Sequence, residues 1–328
     1  MAPETTSRST KDFVFLYLKG MAMGAADVVP GVSGGTIAFI TGIYQELLDT
    51  IKGFNLSVFK TLKEEGIKAT WKKTNATFLV VLFAGIFTSI ISLAKGITFL
   101  LATYPILLWA FFFGLIVASS LIIGKYIKDW NWKTIGIMVV GAAIAFYITI
   151  AAPSQIPDGL IYIFLSGCIA ICAMILPGIS GSFILLLLGA YATVLGSISD
   201  LVDGLKLFDI QSIIENGTKI SVFMLGCIVG IISFSNFLSW MFKKAYSLTM
   251  ALLTGFMIGS LNKVWPWKET TETRINSHGE TVPFLQSNVS PMSFEDISGE
   301  PSQLWFAIGL CVLGFLVVFV MEKMAASK

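Results

Sequence analysis

The sequence predicts an all-α polytopic membrane protein with two inverted-topology repeats. Each repeat is a re-entrant helical hairpin followed by three transmembrane helices. Three observations predict this. First, 55% of the 328 residues are hydrophobic and only 13% are charged, against roughly 25% charged residues in a soluble domain. Second, a helix-breaking pattern occurs twice inside apolar sequence, as Pro30-Gly31-Val32-Ser33-Gly34 and Pro177-Gly178-Ile179-Ser180-Gly181. Third, lysines cluster in alternate loops.

The first repeat covers residues 11–151. Its hairpin, 13–51, consists of two apolar limbs near or below the roughly 20 residues of a spanning helix, joined at the first break. A lysine-rich polar stretch, 52–75, follows, and part of it has the apolar spacing of an interfacial helix. Spans are expected at 76–101, 105–124 and 134–151. After a short connector the pattern restarts for the second repeat, residues 159–321. Its hairpin is 159–198, an acidic loop covers 200–217, and spans are expected at 218–242, 246–261 and 303–321. A polar loop, 262–302, separates the last two. A cleaved signal peptide does not account for the N-terminus, because Lys19 and Asp27 interrupt the apolar run and the same pattern recurs mid-chain.

The repeat is legible residue by residue. Leu18-Lys19-Gly20 aligns with Leu165-Ser166-Gly167, and Gly42-Ile43-Tyr44 with Gly189-Ala190-Tyr191. Gly114 to Ser119 aligns with Gly255 to Ser260, and Gly141 with Gly314. A hairpin adds no crossing and three spans add an odd number, so the second repeat starts on the opposite side. Charge gives the same topology. With both termini cytoplasmic, the inside segments hold Arg8, Lys11, the six lysines of 52–73, Lys125, Lys128, Lys133, Lys243, Lys244, Lys323 and Lys328. The outside segments hold only Lys206, Lys219, Lys263, Lys268 and Arg274. This is the positive-inside bias, and it makes 262–302 an external loop.

Matching discontinuous helices in inverted repeats point to a transport site near the bilayer midplane. After the breaks at Pro30-Gly31 and Pro177-Gly178, restarting helices present free N–H groups to an anion. Ser33, Gly34, Gly35 and Thr36 from one side, with Ser180, Gly181 and Ser182 from the other, supply backbone donors, hydroxyls and close approach. Phosphate or carboxylate suits such a site. Intramembrane charges are costly and usually functional. Lys19 and Lys95 are candidates for contacting the anion, with snorkelling toward an interface as the alternative. Asp27 and Glu46 are candidates for carrying a coupling proton or sodium ion. The alternatives are a pair with Lys19 or Lys95, a helix cap for Asp27, and an interfacial position for Glu46. Met174 and Thr193 stand at the equivalent places in the second repeat, so any relay is asymmetric.

The stretch Asp27 to Thr36, with Gly42-Ile43-Tyr44 and Leu176 to Ser182, resembles the prokaryotic undecaprenyl-phosphate (polyprenyl-phosphate) transporters over nearly the whole chain. The resemblance implies a flippase in the cytoplasmic membrane. It would return the lipid carrier phosphate from the outer to the inner leaflet for reuse in cell-wall and surface-polysaccharide synthesis. The physical reading is compatible: a lipid monophosphate needs an anion pocket for its head while its tail stays in lipid.

Two rivals use the same features. A small-anion transporter would use the same helix ends. A polyprenyl-diphosphate phosphatase also has Ser-rich re-entrant turns, but phosphoryl transfer needs concentrated charge stabilisation and a base. The chain's only arginines, Arg8 and Arg274, lie outside the expected membrane core. A non-enzyme without cofactor or nucleic-acid partner is therefore expected. No metal is expected either. His278 is alone in a polar loop, and Cys168, Cys172, Cys227 and Cys311 lack zinc spacing and read as small packing residues.

Overall fold

Apolar runs bounded by polar caps set the helix limits. The computed structural model describes residues 8–28, 33–55, 57–151, 159–275 and 281–326. The first half contains α1 (Thr10–Asp27), α2 (Gly34–Ile40), α3 (Tyr44–Gly53), α4 (Ser57–Lys73), α5 (Ala76–Thr103), α6 (Pro105–Lys125) and α7 (Trp132–Ile150). The second contains α8 (Leu160–Ile175), α9 (Gly181–Leu187), α10 (Ala190–Leu207), α11 (Ile210–Lys244) and α12 (Tyr246–Ser260). A hairpin of β1 (Lys268–Ile275) and β2 (Thr281–Asn288), then α13 (Pro291–Ser298) and α14 (Leu304–Ala326), complete the chain. Ser9 begins α1 with a capping box closed by Asp12, Asn131 caps α7, and Pro105 fits the first turn of α6, where no N–H is needed.

Among the described residues, four helices are long and apolar enough to cross a membrane: α5, α6, α7 and α11. Ile91, Ile161, Trp132 and Trp305 are each at least 78% exposed. Large apolar side chains so exposed belong against lipid, and the molecule is a polytopic helical membrane protein.

Helices pair through glycine. A Cβ on Gly20 would lie 2.3 Å from the Leu82 carbonyl oxygen, and one on Gly85 would lie 2.2 Å from that of Tyr17, so α1 and α5 pack backbone to backbone. Gly167 and Gly226 do the same for α8 and α11, Gly114 and Gly314 for α6 and α14, and Gly141 and Gly255 for α7 and α12. Without a hydrophobic drive between helices in lipid, such close approach supplies the dispersion energy of association. These glycines include the repeat anchors. Gly20 and Gly167 each seat a hairpin on the helix that follows it within its own half. The remaining pairs exchange between halves, α6 with α14 and α7 with α12.

The structure differs from the sequence expectation in four places. The acidic stretch 200–217 is a loop only at Phe208 and Asp209, because α10 runs on to Leu207 and Asp209 caps the start of α11 at Ile210. The returning hairpin limbs are not single helices. Each stops after seven residues and restarts, at Gly42 (φ +74°) and at Gly189 (φ +73°), with a 105° bend between α9 and α10. Left-handed backbone at both positions explains why the repeat preserves Gly-x-Tyr there. The span expected at 246–261 is the 15-residue α12, about 22 Å long at 1.5 Å per residue and short of a roughly 30 Å hydrocarbon core. The 262–302 loop is partly ordered by tryptophans. Trp265 Nε1 donates to the Val289 carbonyl (2.8 Å) and Trp267 Nε1 to that of Ser302 (2.9 Å). Both rings pack with Ile106, Ala110 and Ala307, anchoring the loop to α6 and α14.

Candidate functional site

The two hairpin turns meet. Ser33 begins α2 with extended backbone (φ −124°, ψ 130°), and its Oγ accepts the Gly35 N–H at 3.1 Å. The same hydroxyl is shared between the Met174 and Leu176 carbonyls, at 3.3 and 3.2 Å, across 141 and 143 residues of sequence. In return, the Gly178 N–H donates to Thr36 Oγ1 at 3.0 Å. Gly35 has no room for a side chain, since a Cβ would stand 2.5 Å from the Ile175 carbonyl oxygen. Gly178 combines φ +85° with a fit against Met257 and Ser260 of α12. Ser33 and Thr36 are 1% and 0% exposed.

In this conformation the backbone donors of the first turn, Gly34, Gly35 and Thr36, are satisfied internally. Asp27 Oδ1 accepts the Gly34 N–H at 2.7 Å, so a carboxylate stands at the start of α2, where a negative charge is favoured. Ser180 begins α9, accepts the Phe183 N–H at 3.5 Å and is 2.9 Å from Ser182 Oγ. Gly181 lies close to Ala170. Pro30 and Gly31, and the side chain of Lys95 on α5, lie outside the described residues. Pro177 precedes Gly178 in the second turn.

Lys19 and Glu46 are placed elsewhere. Lys19 Nζ donates to the Thr41 carbonyl at 2.7 Å, at the C-terminal end of α2, where a cation meets the negative end of the helix. Tyr162 does the matching job in the other half, donating to the Leu188 carbonyl at the end of α9. Glu46 forms an ion pair with Arg8 and accepts from Asn75 Nδ2 at 3.0 Å, beside the start of α5. Sequence reading places Arg8 on the cytoplasmic side without a partner, and only the fold supplies the pair.

Two cavities open at the hairpin restarts. One, about 340 Å³, lies at the Tyr246 end of α12 and is lined by Phe39, Gly42, Tyr44, Ile122, Phe242 and Tyr246, among others. Tyr44 Oη is buried there without a hydrogen-bond partner among the described residues. The other, about 360 Å³, lies at the opposite end of α12 and holds Lys263 and Lys268. Neither lysine stood out in the sequence beyond its place in an outside loop. The signal available was the alignment itself, which puts Lys263 opposite Ile122. Among the described residues no group of His, Cys, Asp and Glu would hold a metal ion. The thiols of Cys168 and Cys227 donate to helix carbonyls in the α8–α11 contact.

Fold and site together define a multi-pass membrane protein whose two broken hairpins join turn to turn. The family model described as undecaprenyl phosphate translocase-like matches residues 23–282, and the chain belongs to that family. It is 47% identical over 316 residues to the polyprenyl-phosphate transporter of Vibrio cholerae, covering 96% of this chain and 98% of that protein. It is 33% identical over 261 residues to the polyprenyl-phosphate transporter of Staphylococcus aureus, covering 76% and 85%. No solved structure matches the chain significantly.

Proposed function

We propose that this chain is a flippase for undecaprenyl phosphate or a related prenyl phosphate, moving the lipid from the outer to the inner leaflet of a prokaryotic cytoplasmic membrane. The observation that carries the reading is the direct bonding of the two turns, Ser33 to Met174 and Leu176, and Thr36 to Gly178, in a chain whose relatives are named for polyprenyl-phosphate transport. The exchange of α6–α14 and α7–α12 pairs between halves supports the inverted-repeat reading, and the lysine distribution supports cytoplasmic termini. The turns then sit where alternating access needs them.

The turn-to-turn bonds are weak enough to part. At about 1 kcal/mol net each, the Ser33 and Gly178 bonds together contribute roughly 2 kcal/mol to the joined state, a cost that new bonds to a bound anion can offset. In the open state Ser33, Gly34, Gly35, Thr36, Ser180, Gly181 and Ser182 turn their donors to the phosphate head. Lys95 and Lys19 are secondary candidates to contact it. Asp27 competes with phosphate for the Gly34 N–H. Its protonation removes the competitor, so a proton and the anionic lipid move together; Glu46, held by Arg8, is the second candidate for coupling.

Reconstituted liposomes test this. Wild-type protein is expected to move prenyl phosphate from the outer to the inner leaflet, faster with the outside acidic. Translocation no faster than in protein-free liposomes overturns the function. A pH-gradient response retained in both Asp27→Asn and Glu46→Gln overturns the coupling assignment.

A further inference from the structure

The cavity at the Lys263 end of α12 presents two partly buried ammonium groups with no counter-ion among the described residues. Lys263 follows the end of α12, with its Nζ 4.2 Å from the centre of the Phe183 ring of α9. Lys268 opens β1; its Nζ lies 3.7 Å from the centre of the Trp109 ring of α6 and donates to the Lys263 carbonyl at 2.7 Å. Among the described residues, neither lysine has a carboxylate within ion-pair distance.

Burying like charges side by side is unfavourable unless a partner compensates them. The two aromatic faces offset part of that cost. They do not use up the hydrogen-bond donors: each ammonium carries three, and Lys268 gives one to a carbonyl. The walls are braced for a polar occupant. Asn288 Nδ2 donates to the Asn262 carbonyl and Oδ1 at 2.7 and 2.8 Å, and Asn262 Nδ2 donates to Thr149 Oγ1 at 2.7 Å. The fold itself does not require the charge, because the repeat places Ile122 opposite Lys263. At about 360 Å³ the cavity is within the range of small-ligand sites. Ile150 and Leu187 on its lining leave an apolar side for a chain attached to the anion.

We propose that Lys263 and Lys268 form a phosphate-monoester site, distinct from the hairpin turns, where the head of the transported lipid docks before it reaches them. The lipid's identity rests on the transport reading above; the anion chemistry does not. Phosphate completes the site by neutralising both ammonium groups, and β2, through Gln286 to Asn288, closes the cavity above it.

Trp109, in contact with Lys268, provides a readout. The purified full-length chain in detergent is titrated with farnesyl phosphate, farnesol and inorganic phosphate, following tryptophan fluorescence. Farnesyl phosphate is expected to give a saturable change that farnesol does not. In the Lys263→Gln/Lys268→Gln double variant its affinity is expected to fall about tenfold or more, and the double arginine variant, which keeps both charges, is expected to recover most of it. A smaller loss in the glutamine variant overturns the site. Equal affinity for inorganic phosphate and farnesyl phosphate assigns the cavity to a free anion and overturns the lipid docking. Translocation is scored separately in liposomes. Wild-type protein that binds through the lysines but moves no lipid breaks the transport reading and leaves the site. Transport by wild type, with normal binding in the glutamine variant, breaks the site and leaves the transport reading.

Discussion

At the two ends of α12 the molecule has two cavities of nearly equal size, about 340 and 360 Å³, with opposite chemistry. Each lies beside a seven-residue helix that has just left a hairpin turn, α2 in one half and α9 in the other. One is walled by Phe39, Tyr44, Ile122 and Phe242, with Gln45 and Glu322 also on its lining; the other holds Lys263 and Lys268. The carbonyls that end the short helices differ too, in the opposite sense, since Thr41 beside the aromatic cavity receives an ammonium and Leu188 beside the lysine cavity a phenol. Similar backbone at the two restarts therefore accompanies a cavity and a capped break in each case, and the side chains set what each can hold.

Placing a cation in the aromatic-walled cavity is the severest test. Ile122→Lys combined with Glu322→Gln puts an ammonium at a position 4% exposed and removes the carboxylate on the same lining, at a cost of about 3 kcal/mol or more. A large fall in melting temperature with no gain in phosphate binding is expected. A stable variant would show that the two cavities are closer in chemistry than their linings suggest.

The joined turns come next. In Gly35→Val the new Cβ would meet the Ile175 carbonyl oxygen at 2.5 Å, an overpacking cost of about 1–3 kcal/mol. The two turns should part, with easier proteolysis near Ser33. Protection equal to wild type would mean that the hairpins are held together by something other than this contact.

Titration distinguishes the cavities without mutation. Burial lowers the Lys263 ammonium pKa from the usual lysine range, and burial together with Lys263 lowers Lys268 well below it. The groups facing them from α6, α7, α9 and β2, namely Trp109, Thr149, Phe183 and Gln286, are uncharged. A lowered pKa means the charged form is lost at a lower pH than for an exposed lysine. Farnesyl phosphate affinity should therefore fall as pH rises, before ordinary lysines titrate. An affinity flat up to the usual lysine pKa would contradict this.

The smallest effects concern the two caps. Tyr162→Phe removes a neutral donor from the Leu188 carbonyl, and Lys19→Met a charged one from Thr41. Losses of about 1 and about 2 kcal/mol are expected in thermal unfolding. A Lys19→Gln variant as stable as wild type would show that a donor, rather than a charge, is what the first break requires.

Much of the fold was legible because its constraints are local. Pro-Gly breaks, glycines spaced for helix contact and the absence of charge over long runs act on adjacent residues. Even the second break, missed as a break, is present as Gly42-Ile43-Tyr44 and Gly189-Ala190-Tyr191. The site was less legible. Glu46 finds Arg8 and Asn75, and Lys19 finds a helix end, because partners in space are chosen by packing angles that spacing does not encode. The tryptophans that order the 262–302 loop gave no periodic signal, since each acts through one hydrogen bond and packing on helices distant in sequence.

The sequence by itself determined a membrane solvent and paired helix breaks, through composition and the backbone limits of proline and glycine. Only the tertiary structure decided that Ser33 and Thr36 bond the opposite turn, that Asp27 holds the Gly34 N–H, and that Lys263 and Lys268 share a cavity. The physical reason is distance. A break or an apolar face is a property of neighbouring residues, whereas these contacts join groups brought together only after glycine has let the helices close.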